Sequence, residues 1–227
     1  MRILCIGDSL GLAREGVRYE DTWFYKLQQE FSDHEFIGQF ERGLLISKAY
    51  NNYDCYYAFY SADVVVIQTG ICDCAPRYIV EERLKIKLVK AIFEKLGMIN
   101  LFWKIVKSGG RKPTCVDTPI NVFYDKFEKL VSRFIENGTK RIILVKIGHA
   151  TNSILERNPF FNQNVDLYNK EIDKIADLDS KKITVLNPLD IVDDTLFVDG
   201  YHCNSQGMDL VYTSLSAVLE TILKKNV

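Results

Sequence analysis

Short apolar runs recur along the chain and indicate buried β-strands. Residues 64–67, Val-Val-Val-Ile, form the clearest run, in which every residue is β-branched. Continuous apolar runs of this length are typical of strands that are buried on both faces, as in a parallel sheet. On this basis the pattern predicts five strands, at residues 2–6, 35–40, 63–68, 141–147 and 182–186.

Amphipathic segments between these runs predict helices, because apolar residues recur there at the spacing that places them on one helical face. The segment at 120–137 follows Thr118-Pro119, which is typical of a helix start, and stops before Gly138. The predicted helices cover residues 21–31, 120–137, 164–178 and 205–225. Strands that alternate with helices predict βαβ units and a doubly wound α/β sheet.

The third and fourth predicted strands are separated by an unusually long segment, residues 69–140. Residues 83–107 carry apolar side chains at helical spacing together with lysines, and Gly109-Gly110 ends the pattern. We therefore predict a helical insertion at about 81–118. One interpretation is that its apolar stripe packs on the domain, or on a second copy of the chain in a homodimer. Another is a lid or a membrane-surface helix, with Phe102 and Trp103 entering the lipid interface.

Composition limits the classes of function. The 227 residues are 47% hydrophobic and 26% charged, with a net charge of −1, as in an ordinary globular protein. We expect a single domain over residues 1–227. The charge gives no indication of nucleic-acid binding, and no apolar run is long enough to span a membrane.

Six cysteines are scattered along the chain, and no apolar leader precedes the first predicted strand. We therefore expect a cytoplasmic protein with reduced thiols. The triplet Cys72-Asp73-Cys74 is too tight to form a zinc site by itself, and the three histidines show no zinc-binding spacing. We expect neither a metal nor another cofactor.

Two polar motifs at strand ends carry the elements of nucleophilic catalysis. Gly7-Asp8-Ser9-Leu10 follows the first predicted strand, and Asp199-Gly200-Tyr201-His202 follows the fifth. Ligands of open parallel sheets bind beyond the carboxyl ends of the strands, where both motifs lie. A serine hydroxyl needs an adjacent base, which His202 can supply, and Asp199 can orient the His202 ring. Alternatively, Ser9 is only a turn residue and Asp199 only caps the last helix.

Together with Asn204 and Gly207, these two motifs resemble those of the SGNH, or GDSL, hydrolase superfamily. The resemblance covers the chain apart from the insertion. It implies a flavodoxin-like three-layer α/β/α sandwich with a five-stranded parallel sheet of order 2-1-3-4-5. It also implies ester hydrolysis or acyl transfer through a triad of Ser9, His202 and Asp199, without a metal. The loop at 70–77 further resembles GDSL-type proteins linked to bacterial surface-polysaccharide synthesis.

The same resemblance implies an oxyanion hole, from which this chain departs at one position. The backbone N–H groups of Ser9 and Gly43 match two of the expected donors. The third donor in the family is an asparagine side chain, and Cys72 occupies that position here. Because a thiol is a weak donor, the hole is weakened, Arg77 replaces the amide, or the chemistry is altered. A minor alternative makes Cys72 the nucleophile, with His202 as its base.

Residues of the strand-end loops are expected to contact the substrate: Asp8, Asp73, Arg77, Thr151 and Asn152. Arg77 is suited to an anion or a sugar carboxylate. The function that we predict is serine-type hydrolysis of an ester in an acylated small molecule or carbohydrate. The alternatives are an acyltransferase with the same triad and a catalytically weakened scaffold protein in polysaccharide biosynthesis.

Overall fold

A parallel β-sheet forms the centre of the computed structural model, which describes residues 1–80, 84–109, 112–190 and 193–224. Within these residues the sheet has five strands in the order 2-1-3-4-5, as predicted. The strands are β1 (Arg2–Gly7), β2 (Glu35–Phe40), β3 (Val64–Gln68), β4 (Arg141–Val145) and β5 (Ile183–Leu186). β1 pairs with β2 on one side and with β3 on the other, so the order of the strands reverses beside β1.

The two faces of the sheet bury separate cores. In β1, Leu4 and Ile6 point into one core, whereas Ile3 and Cys5 point into the other. All four side chains are fully buried. Successive side chains of a strand point to opposite faces, so an uninterrupted apolar run is the sequence of a strand with a core on each side.

Helices cover both faces and complete three layers. They are α1 (Trp23–Glu30), α2 (Ile46–Cys55), α3 (Ile71–Cys74), α4 (Leu84–Lys95), α5 (Ile99–Val106), α6 (Ile120–Glu136), α7 (Asn152–Leu155), α8 (Phe161–Ala176) and α9 (Ser205–Lys224). On one face, α6 packs between α2 and α8, and on the other α1 packs against α9. The three-layer arrangement is the one that was predicted. The predicted end of the last helix at Lys225 lies outside the described residues.

The insertion contains two helices, α4 and α5, joined by a turn at Gly97, whose φ of +68° favours glycine. We call residues 84–109 the insertion hairpin. The Phe93 and Phe102 rings hold its helices together, with their centroids 5.6 Å apart. The predicted start of the helical pattern at Arg83 lies outside the described residues, and its predicted end at Lys107 is one residue beyond the end of α5.

One interpretation of the sequence predicted that the apolar stripe of the insertion packs on the domain. The apolar side chains of α4 do not pack in this way. None of the described α4 residues is buried, and Leu84 is 82% exposed. Neither of the two residues that the membrane interpretation named as anchors, Phe102 and Trp103, is fully exposed. Phe102 is only 6% exposed, and Trp103 lines a cavity. The exposed apolar side chains of the hairpin are instead other residues, such as Leu84, Leu88 and Ile92.

All six cysteines are free thiols, as predicted. Each helix within the described residues is too short or too polar to cross a bilayer.

Candidate active site

Ser9 lies immediately beyond the carboxyl end of β1, at the start of a short 3₁₀ turn (Ser9–Gly11). The turn is capped by the carboxylate of Asp8, which accepts a hydrogen bond of 2.9 Å from the backbone N–H of Leu10. Capping by the residue before the helix is typical of aspartate. The turn fixes the Ser9 side chain at the sheet edge where ligands bind in open α/β sheets.

His202 reaches Ser9 from the opposite end of the chain. Its Nε2 atom lies 3.0 Å from the Ser9 Oγ atom, and its Nδ1 atom lies 2.7 Å from a carboxylate oxygen of Asp199. A proton on Nδ1 leaves Nε2 free to accept the hydrogen bond from the serine hydroxyl. The three side chains that the motifs predicted are thus in one hydrogen-bonded line.

The loop from Asp199 to His202 is held by its own backbone. The second carboxylate oxygen of Asp199 accepts hydrogen bonds from the N–H groups of His202 (3.0 Å) and Tyr201 (3.4 Å). Gly200 has a φ of +97°, and its carbonyl accepts a 2.8 Å hydrogen bond from the Thr151 N–H. Any side chain at position 200 would be strained in this conformation. Gly200 therefore allows the tight turn that places Asp199 behind the imidazole.

Burial and nearby charges keep the imidazole of His202 neutral. Burial lowers the pKa of His202 below its ordinary value, against the opposing effect of its hydrogen bond to Asp199. Burial also raises the pKa of Asp199, but hydrogen bonds from the His202 side chain and backbone outweigh this effect and lower it overall. At neutral pH the imidazole is therefore neutral and the carboxylate is charged, which is the state in which His202 can accept a proton.

Two site residues were not predicted from the sequence. The guanidinium of Arg14 donates to the backbone carbonyl of Ser9, and its positive charge lowers the pKa of His202. The ring of Tyr201 lies against that of His202, with centroids 4.1 Å apart. Tyr201 stands inside the histidine motif and could have been singled out there. Arg14 has no motif of its own, because its role depends on how the chain folds back onto Ser9.

The three predicted oxyanion donors are two backbone N–H groups and one thiol, and they differ in their surroundings. Among the hydrogen bonds between described residues, the backbone N–H groups of Ser9 and Gly43 have no partner. Gly43 lies in a turn after β2 with a φ of +74°, and its neighbour Arg42 is near enough to lower the pKa of His202. Cys72 lines the same cavity as Ser9. Burial raises the pKa of its thiol to about 12, so Cys72 is not a thiolate nucleophile at neutral pH.

The prediction that Asp8 and Asp73 contact the substrate is wrong, because both side chains are fully buried. Asp73 accepts hydrogen bonds from the N–H of Ile46, at the start of α2, and from the Thr118 hydroxyl. Burial raises the pKa of each carboxyl to about 7. Both residues therefore hold loops near Ser9 in place through buried hydrogen bonds.

The other three predicted contact residues lie in different places. Thr151 is 2% exposed and bonds to Ser153 and Gly200, so it positions the histidine loop and does not face a ligand. Asn152 is exposed at the start of α7 but does not line the cavity beside Ser9. Arg77 does line it, and its Nε donates to Asp117 at 3.1 Å.

The cavity beside Ser9 has a volume of about 540 Å³. Its walls come from α3 with the loop that follows it, from the carboxyl end of α5, from α7 with the start of α8, and from Tyr201. A cavity of this size holds a small organic ligand. Within the part of the chain that the structure describes, no cluster of three or more His, Cys, Asp or Glu side chains is suited to a metal ion.

Solved structures share this architecture over nearly the whole chain. A lipase/acylhydrolase from Enterococcus faecalis superposes with a TM-score of 0.66 at 13% identity, covering 97% of this chain and 96% of its own. A member of the lipolytic protein G-D-S-L family from Veillonella parvula gives 0.61 at 13% identity, over 96% and 97%. The psychrotrophic esterase EstA from Pseudoalteromonas sp., in its form inhibited by monoethylphosphonate, gives a TM-score of 0.64 at 16% identity, over 98% of both chains.

The chain has the fold of the SGNH, or GDSL, hydrolases. At these identities the likeness establishes the fold. No protein-family model matches the sequence, and no curated protein sequence matches it. The insertion hairpin lies between β3 and α6 of the SGNH fold, where it supplies one wall of the cavity.

Proposed function

We propose that the protein is a serine ester hydrolase that acts on an acylated small molecule or carbohydrate. The observation that carries the proposal is the line from the Ser9 Oγ atom through His202 to Asp199, with contacts of 3.0 and 2.7 Å, at the mouth of a cavity. The fold shared with lipolytic and esterase structures supports it.

The proposed reaction has two balanced halves. The Ser9 oxygen attacks the ester carbonyl and its proton moves to His202 Nε2. The bond to the leaving alcohol then breaks, and the alcohol takes that proton. A water molecule attacks the acyl-enzyme, gives a proton to His202, and releases the acid while Ser9 recovers its hydrogen. Asp199 stabilises the imidazolium in both halves, and the free N–H groups of Ser9 and Gly43 receive the oxyanion.

A fluorophosphonate probe together with p-nitrophenyl acetate tests the proposal. The probe should label the wild-type protein and fail to label Ser9→Ala, and this variant should lose about 10³-fold or more in kcat/KM. Ser180→Ala is a matched control, because Ser180 is exposed and precedes β5, at the opposite edge of the sheet.

Three results would change the proposal. Labelling of Ser9 without hydrolysis in water would favour transfer of the acyl group to another alcohol. Absence of labelling together with absence of hydrolysis would contradict an enzyme of this type and favour a scaffold role. Equal hydrolysis by wild type and Ser9→Ala would show that another group is the nucleophile.

A further inference from the structure

The cavity beside Ser9 is positively charged, which the ester chemistry alone does not require. Three cationic side chains line it, Arg77, Lys107 and Arg157, and its lining contains no aspartate or glutamate among the described residues. The chain as a whole has a net charge of −1, so this is a local concentration of positive charge. A cleft that is lined by charges of one sign focuses the electric field on its ligand.

Two of these cations have no carboxylate partner among the described residues. Lys107 Nζ lies 5.8 Å from the centroids of the Tyr78 and Trp103 rings, and these two rings line the cavity with it. The Arg157 Nε donates to a backbone carbonyl, that of Ser153, at 3.2 Å. Their charges are therefore available to a ligand. Arg77 is paired with Asp117, which does not line the cavity.

The positive charge also acts on side chains that line the cavity with Ser9. Arg77 is near enough to Cys72 and Tyr201 to lower the pKa of each, against the larger effect of burial. Both residues line the same cavity as Ser9. A ligand whose ester carbonyl lies at Ser9 can therefore place a second group among the three cations.

We infer that the substrate is an anionic ester, with a carboxylate or phosphate group that binds Arg77, Lys107 and Arg157 while its ester carbonyl lies at Ser9. The inference rests on the proposed function and names its substrate class. Guanidinium groups bind carboxylate and phosphate oxygens in pairs of parallel hydrogen bonds, and the lysine adds a point charge.

Matched esters test the inference on either side of the ester bond. For the acyl side, mono-p-nitrophenyl adipate is compared with p-nitrophenyl hexanoate, which has the same chain length without the charge. For the alcohol side, acetylated glucose 6-phosphate is compared with acetylated glucose. In at least one pair, kcat/KM should be about tenfold or more higher for the anionic ester, because charge-assisted hydrogen bonds are stronger than those between neutral groups. This preference should fall with added salt.

The double variant Lys107→Gln/Arg157→Gln should lose most of this preference, measured as the ratio of kcat/KM for the anionic ester to kcat/KM for the neutral ester. Lys104→Gln is the matched control, because Lys104 is exposed in the same insertion hairpin as Lys107 and does not line the cavity. Equal kcat/KM within both pairs, with normal hydrolysis of the neutral esters, would overturn the inference and leave the proposed function in place.

A binding measurement tests the same inference independently of turnover. Trp103 lines the cavity, so its fluorescence reports ligands in Ser9→Ala. The mono-butylamide of adipic acid and glucose 6-phosphate should each be titrated against the neutral analogues, N-butylhexanamide and glucose. Saturable binding of an anionic member that weakens about tenfold in the double variant supports the inference, even if no ester is hydrolysed. Equal binding within both pairs contradicts it.

A second observation concerns the outer face of the insertion hairpin. Eight large apolar side chains of these 26 residues are at least 41% exposed: Leu84, Leu88, Val89, Ile92, Leu96, Met98, Leu101 and Ile105. Leu84, Leu88 and Ile92 of α4 recur every fourth residue, Leu96 follows at the same spacing just beyond the helix, and together they form one stripe. The same segment contains six lysines and one glutamate. An apolar stripe flanked by lysines is typical of a helix that lies on a lipid surface.

We propose that this face docks on an anionic lipid surface. A second copy of the chain is the other obvious apolar partner, but pairing the same face of two copies would bring together two hairpins that each carry several more lysines than glutamates. Anionic headgroups instead complement the lysines, while the apolar side chains enter the acyl boundary. Trp103 and Lys107 of the same hairpin line the cavity, so docking would bring the cavity wall to the lipid.

Vesicle co-sedimentation tests this proposal. The protein should bind vesicles of phosphatidylcholine with 30% phosphatidylglycerol about tenfold more tightly than vesicles of phosphatidylcholine alone, and 0.5 M salt should weaken the binding. Leu88→Ser/Leu96→Ser should lose binding. Phe59→Ser is the matched control, because Phe59 is 77% exposed and outside the hairpin. Absence of binding to anionic vesicles at low salt, or a dimer in light scattering that the double variant abolishes without any vesicle binding, would overturn the proposal.

Discussion

Cys72 is the residue at which the candidate site departs most from the family that the chain resembles. Its thiol lines the cavity with Ser9 and stays protonated, because burial raises its pKa to about 12. A protonated thiol is a weak donor, whereas an asparagine amide at this position would be a strong one. The structure therefore predicts that this part of the oxyanion hole is weak.

Cys72→Asn should raise kcat/KM for p-nitrophenyl acetate, by about 10–10²-fold, since removal of one oxyanion donor costs about 10²–10³ in known cases. Steady-state kinetics measure the effect. Cys72→Ala is the control and should stay close to wild type. An unchanged rate for Cys72→Asn would show that another donor, such as Arg77, already fills this position.

Arg14 gives a second prediction, which concerns pH. Its charge lowers the pKa of His202, and only the neutral imidazole acts as a base. In Arg14→Met the pKa of His202 should rise, so the acidic limb of the kcat/KM profile should move to higher pH. At pH 5.5 the variant should retain a smaller fraction of its activity at pH 8 than wild type does. Arg18→Met is the control, because Arg18 is exposed and pairs with Asp21. A profile that does not move would rule out this role for Arg14.

At the residue scale, the sequence predicted which side chains meet better than it predicted which are buried. Ser9, His202 and Asp199 were recognisable because each lies in a motif at the end of a strand. Asp8 and Asp73 lie in equally polar motifs, yet tertiary packing buries both completely. The sequence does not contain that information locally, because the groups that cover Asp73 come from α2 and from Thr118.

Among the elements, the loop that carries His202 depends on a glycine. A Cβ atom at Gly200 would lie 2.7 Å from Thr151 Oγ1 and 2.7 Å from Ile154 Cγ1, in a backbone conformation with a φ of +97°. Gly200→Ala should therefore displace His202 relative to Ser9. We expect kcat/KM to fall about 10²-fold, as for a misplacement of about 1 Å, and the free energy of unfolding to fall by about 1–3 kcal/mol.

Gly138→Ala separates backbone strain from displacement of the histidine. Gly138 has a similar φ of +90°, but a Cβ there would have no atom within 4 Å, and the residue precedes β4 at the opposite edge of the sheet. This variant should lose stability and retain its kcat/KM. Equal losses of activity in both variants would show that Gly200 has no special role in positioning His202.

The strands and most of the long helices were predictable because their hydrophobic periods are clear, whereas α2 was not. This helix has polar residues at several central positions, including Asn51 and Asn52. The N–H of its first residue, Ile46, is bonded to Asp73, which is 27 residues away, and no local side chain caps it. A helix start that depends on a distant carboxylate leaves no capping signal in the neighbouring sequence.

For the whole molecule, the buried carboxyls link stability to pH. Burial raises the pKa of Asp8 to about 7, and one of its oxygens has no hydrogen-bond partner among the described residues. Between about pH 4 and pH 7 the folded protein therefore binds a proton at this site that the unfolded chain has lost. The contribution of Asp8 to the free energy of unfolding thus falls as pH rises through this window.

Asp8→Asn should remove this contribution. Relative to the variant, wild type should lose unfolding free energy on the order of 4 kcal/mol between pH 4 and pH 7.5, measured by urea denaturation. The comparison is a difference, so groups that do not interact with Asp8 cancel, whereas Asp73, whose charge raises the pKa of Asp8, contributes to the measured difference. Asp33→Asn, at an exposed position, is the control and should show no such trend. A difference between wild type and Asp8→Asn that is constant with pH would contradict the prediction.

The two groups that meet at 3.0 Å in the site, on Ser9 and His202, are separated by 193 positions in the chain. Ribosomes add about 5–20 residues per second, so the hydroxyl is made roughly 10–40 seconds before the imidazole. Throughout that interval the nascent polypeptide contains Ser9 without His202. The contact between them can therefore form only after the last strand and the loop that follows it have been made.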